Sequence, residues 1–205
     1  MKIVSYLKEE HEQLAVLVDA YLYDMELIHP DVPNTMNMFL NYWEDLFPVV
    51  QAGELTIREG GIGRGKAVPV GAARLLAPVP FPSSCRDGYA FRQHVAAARR
   101  NRKVPMIPEF DQYPIFYFTN HHSVQGPGDI RCMPDHFDKL DFELEVAIVI
   151  GKAGRNIRAA AADEYIAGLM IMNDMSAGPC RWRKCCSISG LPKGRTFPRR
   201  QAPGW

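Results

Sequence analysis

The stretch LDFELEVAIVIG, residues 140–151, alternates with the two-residue period of a β-strand. Phe142, Leu144, Val146, Ile148 and Ile150 share one face, and the pattern reads as a buried strand. The other face carries Asp141, Glu143 and Glu145 before it turns apolar at Ala147 and Val149. Like charges crowded on one face cost stability, and no Lys or Arg lies between Leu140 and Gly151 to offset them. Such acids either guard an edge strand against foreign pairing or act as ligands. A buried carboxylate needs a cation or a metal beside it. Asp174 closes the next most hydrophobic stretch, LMIMNDMSA. Three or four carboxylates on converging strand ends suit a hard, oxygen-loving divalent cation, Mg²⁺ or Ca²⁺.

The rest of the chain supplies an ordinary globular setting. With 205 residues, 47% hydrophobic and 23% charged, it has room for one large domain or two smaller ones. No apolar run approaches the roughly 18 residues of a membrane helix. The opening MKIVSYLKEEHEQ lacks the apolar centre of a signal peptide, so a cytoplasmic location is expected. Five irregularly spaced cysteines fit a reducing compartment rather than a disulfide framework.

KIVSYL and QLAVLVDAYLYDM predict short strands with a turn near Asp19 and Ala20. Asn34 and Thr35 can cap a helix running through residues 36–53. GGIGRGKAVPVG breaks regular structure; GIGRGK lacks the spacing of a phosphate loop and is expected to be a plain turn. Pro78, Pro80 and Pro82 extend the chain into a second unit, with the boundary placed near residue 75. There the sequence predicts a helix from Tyr89, a strand at YPIFYFTN, the acidic strand, a short helix around AAADEYIAG and a strand ending in NDMSA.

RDGYAFRQHV, YPIFYFTN with GPGD, LDFELEVAIVIG and IMNDMSA, in that order, resemble the fumarylacetoacetate hydrolase family across roughly residues 76–176. The resemblance implies an α+β, mostly β fold: a fumarylacetoacetase-like roll of mixed sheets behind a small β-rich N-terminal domain, assembled as a homodimer. It implies that Asp87, Glu143, Glu145 and Asp174 hold the divalent cation, that His94 is the general base, and that Tyr89 and Tyr117 touch substrate. The implied reaction is hydrolytic cleavage of a C–C bond in a small 1,3-dicarbonyl acid of fumarylacetoacetate or acylpyruvate type. Oxaloacetate decarboxylation or hydration of a 2-keto-enoate would use the same acids. Neither a specific nucleic acid nor a membrane is expected as a partner. Lys103 with Arg99, Arg100 and Arg102 reads as a solvated helix face.

On this reading residues 1–75 are the N-terminal domain, 76–177 an incomplete catalytic domain, and 178–205 something else. That last segment holds seven basic residues and no acid, three of the five cysteines and two of the three tryptophans. Cys180, Cys185 and Cys186 are too irregular for a zinc site. A basic tail that binds polyanions is one reading; an out-of-frame segment is the better one. One nucleotide inserted after the Ala177 codon lets compatible codons read on as an arginine, a glutamine, a Gly-Lys-Asp-Phe run and a Gly-Pro-Trp, the continuation the family leads one to expect. Resequencing the gene across that codon is expected to recover the extra nucleotide. An unchanged reading would return residues 178–205 to the polyanion-binding alternative.

Overall fold

The computed structural model describes residues 1–132, 134–137 and 140–177. The segment 178–205, expected to be out of frame, lies outside the described residues. The described chain is α+β and mostly sheet, as expected. It divides into two compact units, one of residues 1–81, 124–130 and 142–174, the other built around residues 82–123.

The first unit is centred on an antiparallel sheet of β1 (Ile3–Lys8), β2 (His11–Val18), β3 (Tyr21–Asp24), β4 (Val68–Pro69) and β5 (Arg74–Leu75), in the order β4-β3-β2-β1-β5. Two-residue turns join the first three strands, with Lys8 opposite His11 and Val18 opposite Tyr21. Glu9, Glu10 and Asp19 adopt left-handed φ of 49°, 62° and 54°, the backbone that closes a tight hairpin with the twist of its strands. Pro69 has no ladder donor to give and sits on the edge strand β4, where none is needed.

β2 is covered on both sides. Leu14, Val16 and Val18 pack with Tyr23, Met25, Phe39 and Val50 into the main core. Ala15 meets Tyr6 and Leu22 in a smaller cluster beneath the sheet. The helices of the main core are α1 (Met25–Ile28), α2 (Met36–Asn41) and α3 (Trp43–Arg58). The single helix expected over 36–53 is therefore two, broken at Tyr42 (φ −120°, ψ 28°) and running on past Gly53. Gly53 stays inside α3 because a Cβ there would lie 2.2 Å from Ile28 Cγ2. Close approach of α1, not helix termination, is what this glycine serves.

A buried carboxylate ties the sheet together. Asp24, only 4% exposed, accepts 2.6 Å hydrogen bonds from the Tyr6 hydroxyl and from Lys8 Nζ. Burial, and then the bond to Asp24, push the Tyr6 hydroxyl well above the usual phenol range.

β8 (Leu140–Ile150) and β9 (Ile166–Ala177) form a separate two-stranded sheet. The helix expected around AAADEYIAG is a 3₁₀ turn over Ala159–Tyr165, and Ile166, Ala167 and Gly168 belong to β9. The expectation of a buried strand is corrected as well: Leu144 is 70% exposed, with Phe142, Val146, Ile148 and Ile150 alongside it. The acid-bearing side of β8, at Glu143 and Glu145, is the more sheltered one. In the second unit β6 (Arg86–Gly88) pairs antiparallel with β7 (Phe116–Phe118), and α4 (Arg92–Asn101) follows β6.

Gly53→Ala tests the packing of α1 on α3. Helix propensity alone favours alanine by about 1 kcal/mol, whereas forcing a methyl into a filled contact costs roughly 1–3 kcal/mol. A net loss of about 1 kcal/mol in chemical denaturation is expected; a stabilised variant would show that α1 yields freely.

Candidate metal centre

Each acid owes its position to strand geometry. Asp87 is the middle residue of β6 and lies directly opposite Tyr117 of β7. That cross-strand pairing places a phenol against a carboxylate, and the Tyr117 hydroxyl donates a hydrogen bond to Asp87 Oδ2. Glu143 and Glu145, two residues apart on β8, point to the same side of their strand. Asp174, 8% exposed, is among the most buried acids described.

Carboxylate oxygens of Asp87, Glu145 and Asp174 lie within 4.8 Å of one another, a donor set that could hold a divalent cation. Oxygen-only, anionic ligation of this kind matches Mg²⁺, Ca²⁺ or Mn²⁺ and not a thiolate-seeking metal. Of the expected ligands, these three are brought together; Glu143 is not part of the group. A helix long and apolar enough to cross a membrane is absent among the described residues.

The residues expected to meet substrate lie close by in sequence and share the second unit. Tyr89 follows β6 directly, its backbone N–H bonded to the Ile115 carbonyl at 3.2 Å. It lines an open pocket of about 540 Å³ with Gly88, Phe110, Tyr113, Ile115 and Phe116. His94 is exposed on the first turn of α4, its ring centroid 6.4 Å from that of Tyr89. Asp111, which also lines this pocket, accepts two hydrogen bonds from Arg92, of 2.9 and 3.2 Å. The guanidinium holds the Asp111 carboxyl below its ordinary range. Sequence spacing did not single out this pair: its members stand 19 residues apart, and only the fold brings a helix start back to the 3₁₀ turn Pro108–Asp111.

Comparison with known proteins places the chain in a family. Residues 84–199 match the family described as fumarylacetoacetate (FAA) hydrolase C-terminal, which is more than half of the chain. A fumarylacetoacetate hydrolase domain-containing protein 2 homolog from Dictyostelium discoideum is 25% identical over 205 residues, covering 96% of this chain and 61% of the relative. A mitochondrial oxaloacetate tautomerase of Rattus norvegicus is 29% identical over 185 residues, covering 86% and 53%. Among solved structures, maleylpyruvate hydrolase from a Sphingobium species, in complex with manganese(II) and pyruvate, superposes with a TM-score of 0.59 at 17% identity over 86% of this chain and 60% of that one. The fold is thus of the fumarylacetoacetase kind, and the chain spans roughly three-fifths of the length of these proteins or less.

Titration with Mn²⁺, followed by the loss of its free electron-resonance signal, should show one site. Asp174→Asn should remove it, and Tyr117→Phe, which takes away the hydrogen bond orienting Asp87, should weaken it about tenfold. Undiminished binding in Asp174→Asn would place the cation elsewhere.

Proposed function

Because the chain belongs to the fumarylacetoacetate hydrolase family, we propose that it is the core of a metal-dependent hydrolase that cleaves a C–C bond in a small 1,3-dicarbonyl acid. The observation that carries this reading is the convergence of Asp87, Glu145 and Asp174; Glu143, two residues from Glu145 on β8 and outside that group, is proposed to join them when the cation binds. When bound, a divalent cation supplies Lewis-acid polarisation of carbonyl oxygens. The chain's own groups supply the rest. His94, exposed on the first turn of α4, takes a proton from water as general base. Tyr89 offers its ring and hydroxyl to the substrate from the pocket wall, and Tyr117 holds Asp87 in place while contributing to substrate contact. The expulsion of the departing carbon as an enol needs a proton returned to it, which the protonated His94 can give.

An oxaloacetate-directed reaction is the second reading, supported by the name of the rat relative, a tautomerase. Proton transfer at the carbon between two carbonyls is common to both chemistries, so the same acids and His94 would serve. We place the catalytic domain at 76–177 and continue it beyond Ala177 in the restored frame, as a homodimer of a cytoplasmic protein. We assign turnover to that continued form; the matches cover 61% and 53% of the relatives' own lengths.

The test is an assay of acylpyruvate cleavage and of oxaloacetate enol–keto exchange, in both the 205-residue chain and the frame-restored protein, with and without EDTA. Cleavage confined to the frame-restored form and lost in EDTA is expected. His94→Ala should lower turnover by roughly 10²–10⁴. Exchange without cleavage would favour the tautomerase reading, and an unaffected His94→Ala would assign the base to another group.

A further inference from the structure

The glycine-rich turn after α3 borders a second cavity, within the first unit. It measures about 380 Å³ and is lined by Val18, Asp19, Tyr23, Ile57, Arg58, Gly60, Ile62, Gly63 and Arg64. Its floor is apolar and deeply buried, at Val18 and Ile57. Its charged lining is two guanidinium groups against one carboxylate. Both arginines are already steered by the protein: Arg58 bonds Glu54 at 2.8 Å, and Arg64 reaches Asp19 at 3.4 Å while lying 5.4 Å from the centroid of the Tyr21 ring. Each of these ion pairs engages a single terminal nitrogen. A guanidinium has five N–H donors in a planar fork, so each side chain is oriented and still has donors to give.

Tyr23 makes the second, independent observation. It is 3% exposed and lines the same cavity, and its hydroxyl makes no hydrogen bond to a described residue. Buried hydroxyls are rarely left without a partner, and the cavity is where one can enter. The turn itself is shaped for close approach. Gly60 has φ +82°, and its N–H and that of Gly61 close back on Ile57 and Thr56 at 3.0 and 2.9 Å. A Cβ built on Gly60, Gly63 or Gly65 meets nothing within 4 Å.

We propose that this cavity binds a small organic carboxylate, its charge taken by Arg58 and Arg64, its oxygens reached by the Tyr23 hydroxyl, and its carbon body resting on Val18, Ile57 and Ile62. The site shares no residue with the metal centre and does not depend on the reaction assigned to it. GIGRGK thus acts as a wall rather than as a nucleotide loop.

Equilibrium dialysis of the 205-residue protein against radiolabelled glutarate, in EDTA throughout, tests this apart from any metal or turnover. Saturable binding is expected, with inorganic phosphate a weaker competitor because it leaves the apolar floor uncovered. Arg64→Gln should weaken binding about tenfold, as expected for one charge-assisted contact. Gly63→Leu, whose side chain enters open space from an unstrained backbone of φ −73° and ψ 147°, should abolish binding without lowering the melting temperature. Absence of saturable binding, binding that survives both variants, or phosphate binding more tightly than glutarate would each overturn the proposal.

Discussion

Three carboxylate groups drawn within 4.8 Å of each other are the constraint around which the rest of this molecule makes sense. At that separation, and at the effective dielectric of a protein near its surface, two unit charges repel by about 3 kcal/mol. Three of them demand compensation from cations, protons or hydrogen-bond donors. The Tyr117 hydroxyl bonded to Asp87 is one such donor, and a divalent ion answers the demand most fully. A fold that holds acids in this way concentrates electrostatic free energy at one point, where an ion and a polarisable substrate can use it.

Asp24 shows what a buried acid looks like when it has been settled for structure instead. Its oxygens are taken by Tyr6 and Lys8, groups that come from the next strand but one and complete a closed, satisfied network. Removing either partner would leave a charge buried at a cost of several kcal/mol, so its natural role is to hold the sheet together. The difference between the two kinds of acid is that Asp24 is held by one phenol and one ammonium, whereas Asp87, Glu145 and Asp174 bring carboxylate oxygens close to one another.

Much of the hairpin sheet was legible along the chain, because alternation and tight-turn residues are local signals. The turn at Asp19 and Ala20 and the strands around it stand where the pattern predicts them. The helix over 36–53 was misjudged at both its continuity and its end. Gly53, the last residue of the expected helix, is an interior residue of α3 whose missing side chain admits Ile28. The apolar row of β8 misled in another way. Alternation reports which residues share a face, not what lies over that face, and Leu144 and its neighbours are exposed among the described residues. An apolar row of this length left open is a liability for association.

The sequence by itself determined the periodicity: which side chains of β2, β8 and β9 share a face, which residues can turn, and that acids recur at the spacing of one strand face. It determined the family too, because RQH, the paired glutamates and NDMSA are tied to chemistry as residue types. The tertiary structure alone decided that Asp87 stands opposite Tyr117, that Asp87, Glu145 and Asp174 meet while Glu143 is not part of the group, and that Arg92 finds Asp111. It alone gathered two arginines and a buried tyrosine around the glycine turn. The physical reason is one of range. Periodicity is set by the backbone within a few residues, whereas electrostatic and packing partners are set by distances in space, and residues 87, 145 and 174 become neighbours only once the chain has closed.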